Sequence, residues 1–197
     1  MRVLASSRLH FRRVTADDID RIATLHGDPE VMRFITGGVA EPRSVVAEKT
    51  LPRWLVHHAA PPPVGFWAAF EGDVSVEEAF VGWFMLRPDR EVADALEVGY
   101  RLHRAAWGRG LATEGAQAFV RWAFEQTDIL FVTGQALAAN VASRRVLAKA
   151  GLLFERNFVY PASVLPGWPL SQRAGVRYRR TRADHEASAA QKSGRKT

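Results

Sequence analysis

The stretch Trp107-Gly108-Arg109-Gly110-Leu111-Ala112 puts two glycines directly before a helical pattern, and that combination has a chemistry. A turn that feeds a helix start leaves several amide N–H groups without intrahelical acceptors, and the helix dipole adds positive potential at the same place. Glycine lets a ligand approach the backbone closely. Such a turn suits a phosphate or a diphosphate, so the residues point to a phosphorylated small molecule. Two common phosphate-binding patterns fail here. Position 113 is Thr where a dinucleotide fingerprint needs its third glycine. The next strand ends Gly134-Gln135-Ala136-Leu137, without the acidic residue that would hold a ribose. No Gly-Lys-Ser/Thr follows, as a nucleoside-triphosphate loop would require.

Composition narrows the classes further. The chain has 197 residues, 47% of them hydrophobic, which is enough for one domain with a real core. Cysteine is absent, which removes disulfides, thiolate zinc sites and a cysteine nucleophile. The six histidines are scattered and only His57-His58 are neighbours, so no metal site is expected. A net charge of +6, carried mostly by Arg, attracts anions: nucleic acid, an acidic protein, or a highly phosphorylated cofactor. No aromatic-interleaved basic stretch or recognition motif supports the nucleic-acid reading. Met1 to Ser7 lacks the apolar core of a signal peptide, and no run has the length of a membrane span. These observations lead us to expect a cytoplasmic protein without membrane attachment. The stretch 183–197 is rich in Ala and Ser and carries Lys192, Arg195 and Lys196. We read it as a basic, disordered tail, leaving residues 1–182 as a single domain.

The elements that must position the turn follow from periodicity and punctuation. Arg8 to Val14 reads as a strand, and Thr15 caps a helix running to His26. Pro29 starts a short helix, and Arg43 to His58 forms another that Pro52 interrupts. Val64 to Phe70 and Ala79 to Leu86 read as a hairpin across the polar stretch 71–78, and Glu97 to Leu102 is a further strand. Gly110 to Gln126 is helical, with Leu111, Gly115, Phe119, Trp122 and Ala123 on one face. Ile129 to Leu137 is a buried strand, and Asn140 caps a helix that Gly151 stops. Leu152 to Val159 and Val176 to Thr181 are the last strands, joined by the Pro-rich loop Tyr160 to Arg173. The class is α/β, a mixed layer of helices on a sheet. Trp54, Phe66, Trp67, Trp83 and Phe84 are mostly core, and one or two could line a pocket.

Trp107 to Glu114 resembles the acyl-CoA diphosphate loop of the GNAT N-acetyltransferase superfamily, in the branch typified by ribosomal-protein N-terminal acetyltransferases. Three further stretches are similar to that branch and occur in its order. They are Asp28-Pro29-Glu30-Val31-Met32, Glu97 to Leu102, and Asn140-x-x-Ser143-x-x-Val146-Leu147-x-Lys149-x-Gly151. The branch's aromatic after Gly151-Leu152 is displaced here, with Leu153 and Phe154 in its place. The resemblance implies a mostly antiparallel twisted sheet, splayed between strands 4 and 5 and flanked by helices on both faces.

Function follows from the same resemblance. It implies acetyl-CoA as co-substrate and a primary amine as acceptor, either a protein N-terminus or a small molecule, in a monomer or homodimer. The alternative is a catalytically silent module that only binds acyl-CoA. Cofactor contacts are implied for Tyr100, Leu102, Arg104, Trp107, Gly108, Arg109, Gly110, Leu111, Ala112, Thr113, Asn140 and Ser143. Arg104 and Arg109 would meet the diphosphate or 3′-phosphate, or else remain solvated surface residues. Asn140 caps its helix, and the resemblance adds a pantetheine contact. Glu97 is the candidate base for an ammonium acceptor, weighed against a structural ion pair. Ser143 is the candidate acid for the leaving thiolate, weighed against an ordinary first-turn serine, with Tyr160 as a weaker candidate. Gly99 reads as a bulge that opens the splay, or as a merely weakened strand position.

Overall fold

The computed structural model describes residues 5–72 and 79–193. The polar stretch between the hairpin strands, apart from its first two residues, lies outside the described residues, as do Arg195 and Lys196. Seven strands form one sheet: β1 (Leu9–Arg13), β2 (Gly65–Glu71), β3 (Ala79–Pro88), β4 (Ala95–Leu102), β5 (Phe131–Leu137), β6 (Leu153–Val159) and β7 (Ala174–Thr181). Their order is β1-β2-β3-β4-β5-β7-β6. Every neighbouring pair is antiparallel except β4 and β5. The mixed, mostly antiparallel architecture expected from the sequence is the one found.

Period-two alternation sorts the strand side chains into two cores. Trp67, Phe84, Leu96 and Val98 face α5 (Leu111–Gln126) and α6 (Val141–Lys149), packing on Phe119 and Leu147. Phe66, Phe70, Trp83 and Met85 face the other way, onto Ile22 and Leu25 of α1 (Ile19–Gly27) and onto Trp54. That second layer also contains α2 (Pro29–Met32), α3 (Arg43–Val45) and α4 (Leu51–Leu55). Helices on both faces explain why β2 is apolar along nearly its whole length rather than alternating. All five of the aromatics singled out in the sequence are buried.

Two expectations are corrected. Pro52 does not interrupt the helical run. A π turn over Val46–Thr50 leads straight into α4, and Pro52 falls in its first two positions. Nor is the stretch 183–197 disordered through Ser193, because α7 (Arg182–Ser193) occupies it. Its Ala, Gln and Glu residues are good helix formers. A local bond marks its start, with Asp184 accepting from the Thr181 hydroxyl at 2.6 Å, and a tertiary contact holds it, with His185 stacked on Phe124 at 4.8 Å between ring centroids. Arg182 donates to the carbonyls of Ile129 and Thr127.

A buried ion cluster ties the loop after β3 to the far side of the sheet. Arg177 of β7 is almost completely buried and bonds Asp89 at 2.7 Å, Glu155 at 3.0 Å and Glu91 at 3.2 Å. The Thr133 hydroxyl of β5 donates to the same Asp89. Charges this deep persist only when paired.

Candidate active site

The sheet opens where its one parallel pair ends. β4 and β5 pair from Ala95↔Phe131 to Glu97↔Thr133 and no further, although β4 continues to Leu102 and β5 to Leu137. Over the same length β5 stays in register with β7. The edge of β4 from Val98 to Leu102 therefore faces a split that can receive an extended ligand. Gly99 is not a bulge, and its register with Met85 is regular. A Cβ there would meet Met85 Cε at 2.5 Å, so Gly99 makes room for a core side chain and the split has another origin.

The glycine turn lies at the end of β4. A 3-10 turn over Arg104–Ala106 leads to Gly108 (φ 72°) and Gly110 (φ 81°), and α5 begins at Leu111. Both glycines sit in the left-handed region, which a side chain disfavours. The first i→i−4 bond of the helix is Glu114 N to Gly110 O at 3.0 Å, so the amides before it point out of the helix end. Trp107 Nε1 donates to Leu102 O at 2.9 Å and folds the turn against the strand end. Arg8 braces it from outside, donating to Arg109 O at 2.9 Å and pairing with Glu114 at 2.6 Å. Burial works against the Glu114 carboxylate, but bonds from Ser6, Arg8 and Ser7 outweigh it and bring its pKa down to about 2.

On the opposite wall, Asn140 Oδ1 accepts from Ser143 N at 3.1 Å, the expected cap. The Ser143 hydroxyl lies 3.1 Å from the Tyr100 hydroxyl, which also reaches Ser143 O at 3.1 Å. Burial pushes the Tyr100 phenol up, so it stays protonated.

One cavity of about 370 Å³ joins these parts. Tyr100, Leu102, Trp107, Gly108, Gly110, Ala112, Thr113, Asn140 and Ser143 all border it. The other sequence candidates do not. The Leu111 side chain is core. Arg109 pairs with Glu71 at 2.5 Å, and Arg104 is exposed and off the cavity wall. Glu97 is mostly buried and takes both Arg87 bonds, 2.7 and 3.0 Å, on Oε2. Tyr160 belongs with Glu97 rather than with Ser143: burial first, then the Glu97 charge, pushes its phenol up.

The sequence reading missed Arg145 and Lys149, which border the cavity from α6. A signal was present, because Ala142, Arg145, Val146 and Lys149 have the i, i+3, i+4, i+7 spacing of one helix face. Arg101, Val31, Phe34 and Ile35 border the cavity from the side of α2, and the last three share the i, i+3, i+4 spacing of one helix face. Among the described residues, no group of three or more His, Asp or Glu converges as a metal site, and no helix is long and apolar enough to cross a membrane.

A sheet split beside a glycine turn at a helix start defines the class, and comparison with known proteins agrees. Residues 8–153 match the acetyltransferase (GNAT) domain model, and the chain belongs to that family of acetyltransferases. It is 33% identical over 165 residues to the FsC-acetyl coenzyme A-N(2)-transacetylase of Aspergillus fumigatus. That match covers 80% of this chain and 66% of the relative, so the chain spans slightly less than two thirds of its length. A ribosomal L7/L12 alpha-N-protein acetyltransferase solved with coenzyme A shares the fold at TM-score 0.72 and 14% identity, over 91% of this chain and 98% of that one. An aminoglycoside acetyltransferase solved with coenzyme A and kanamycin does so at TM-score 0.72 and 16% identity, over 92% and 99%.

Proposed function

We infer that this enzyme takes its acetyl group from acetyl-CoA and passes it directly to a primary amine, on a small molecule or a protein N-terminus. One observation carries the reading: the β4/β5 split and the amides of the glycine turn open into the same cavity. The diphosphate sits on the turn amides, with Arg145 and Lys149 as its cations. Pantetheine lies along the free edge of β4, with Asn140 beside it. The two structural neighbours named above were solved with coenzyme A, which supports coenzyme A as the form of the donor.

Transfer forms a bond from the amine nitrogen to the acetyl carbon and breaks the carbon–sulfur bond. The departing thiolate needs a proton. Ser143 alone is a poor acid, but it passes its proton to the sulfur as Tyr100 replaces it, and water, carrying the proton the ammonium gave up, reprotonates Tyr100. Glu97 Oε1 makes no bond to Arg87 and is the proton acceptor for the ammonium, acting through water because Glu97 is off the cavity wall. No cysteine exists to carry the acetyl group, which fits direct transfer.

A thiol-release assay with acetyl-CoA and a panel of amines tests this. We expect release with at least one amine, and a fall of about 100-fold in kcat for Glu97→Gln, within the range of general acid–base catalysis. Calorimetry showing no coenzyme A binding to folded protein would overturn the reading, as would binding without release across a wide panel.

A further inference from the structure

We propose that Arg101 anchors a carboxylate on the acceptor, so that the substrates of this enzyme are amines bearing an acid group. The proposal rests on the cavity being an acetyl-transfer site and deepens that reading.

β4 separates two functions by alternation. The Tyr100 side chain goes to α6 and the Ser143 hydroxyl, whereas Arg101, one residue on, goes to the α2 side. There its guanidinium lies over the Trp83 ring, 5.1 Å from the centroid. Among the described residues, its one hydrogen bond runs from Nη1 to the Met32 thioether at 3.3 Å, a weak acceptor, and Nε is buried without a partner. Glu41 is close enough for its charge to be felt but does not bond it; its oxygens face other partners. One meets His26 Nδ1 and the other Thr50 Oγ1, each at 2.5 Å. Burial draws the Arg101 pKa down to about 10, which still leaves it charged near neutrality.

A stacked guanidinium with spare donors presents a planar fork that matches a carboxylate. A charge held this way is under-solvated until an anion arrives. Arg101 borders the cavity together with the apolar side chains of Val31, Phe34 and Ile35, so an acid group that reaches it leaves water behind.

The test compares free amino acids of graded chain length with their carboxamides. The readout is the acid-to-amide ratio of kcat/KM in wild type against Arg101→Gln and Arg101→Lys, a quotient in which the intrinsic basicity of each amine cancels. Wild type should prefer at least one acid by tenfold or more. Arg101→Gln should abolish that preference and Arg101→Lys should weaken it, with the acetyl-CoA dissociation constant unchanged in both. A preference absent in wild type, or surviving in Arg101→Gln, overturns the proposal. So does a tenfold loss of acetyl-CoA affinity in the variants, which would make Arg101 a donor-site residue. Should Arg101→Gln fail to fold, the comparison stands on Arg101→Lys.

Should no amine be acetylated, the transfer reading fails but the anchor is still tested. Calorimetry would then measure N-acetyl amino acids binding to the protein loaded with coenzyme A. Binding lost in the variants upholds the anchor, and binding that is absent or unchanged overturns it.

Discussion

Ser143 and Tyr100 show how a contact changes the chemistry open to a residue. A serine hydroxyl holds its proton too tightly to be a good acid near neutrality, but one 3.1 Å from the Tyr100 hydroxyl can pass its proton on as the phenol replaces it. Their order implies a specific pattern of mutational effects. Ser143→Ala and Tyr100→Phe should each lower kcat by about 10- to 100-fold with little change in KM for acetyl-CoA. The double variant should be no slower than the worse single, because both act on one proton path. Additive losses in steady-state kinetics would show that the two hydroxyls act independently.

At the scale of elements, the turn and the start of α5 depend on backbone conformation more than on side chains. Gly110 is the residue before the helix and holds φ at 81°. The space around it is nearly open, with only Arg8 Nη2 at 3.5 Å from where a Cβ would stand, so a substitution is strained rather than blocked. Gly110→Ala should therefore cost about 1–2 kcal/mol. In a chain of this size that is a drop in Tm of roughly 2–8 °C. Since the same amides are proposed to hold the diphosphate, calorimetry should also find coenzyme A binding at least tenfold weaker. Unchanged affinity with a lowered Tm would separate the turn from the cofactor.

Across the whole molecule, buried ionisable groups link stability to pH. His26 accepts from Trp83 Nε1 at 3.1 Å and bonds Glu41. Burial, opposed by that Glu41 bond, holds its pKa below the usual 6.5. Asp18 and Asp89 resist burial through their bonds, chiefly to Arg12 and to Thr133, and end below the usual 3.8. All three groups have lowered pKa values in the folded state. Their stabilisation is complete above the unfolded values and is lost as pH falls through the folded ones. Denaturant unfolding should show stability declining from about pH 6.5 downward, as His26 must charge, and more steeply below about pH 4, as the aspartates protonate. A flat profile between pH 8 and pH 5 would contradict a neutral, buried His26.

Local physics determined much of this protein from its residues alone. Periodicity set the helices and strands, and the glycine turn, the Asn140 cap and the family all follow from short stretches of chain. Tertiary structure decided where the long side chains end, because that depends on partners far away in sequence. Arg109 turns to Glu71, 38 residues distant. Tyr100 meets Ser143 across 43 residues, and Arg101 reaches Met32 across 69. The C-terminal helix packs through Arg182 and His185 onto Thr127, Ile129 and Phe124, contacts that no local pattern announces. A guanidinium on a flexible stem has many reachable partners, and only the packed fold selects among them.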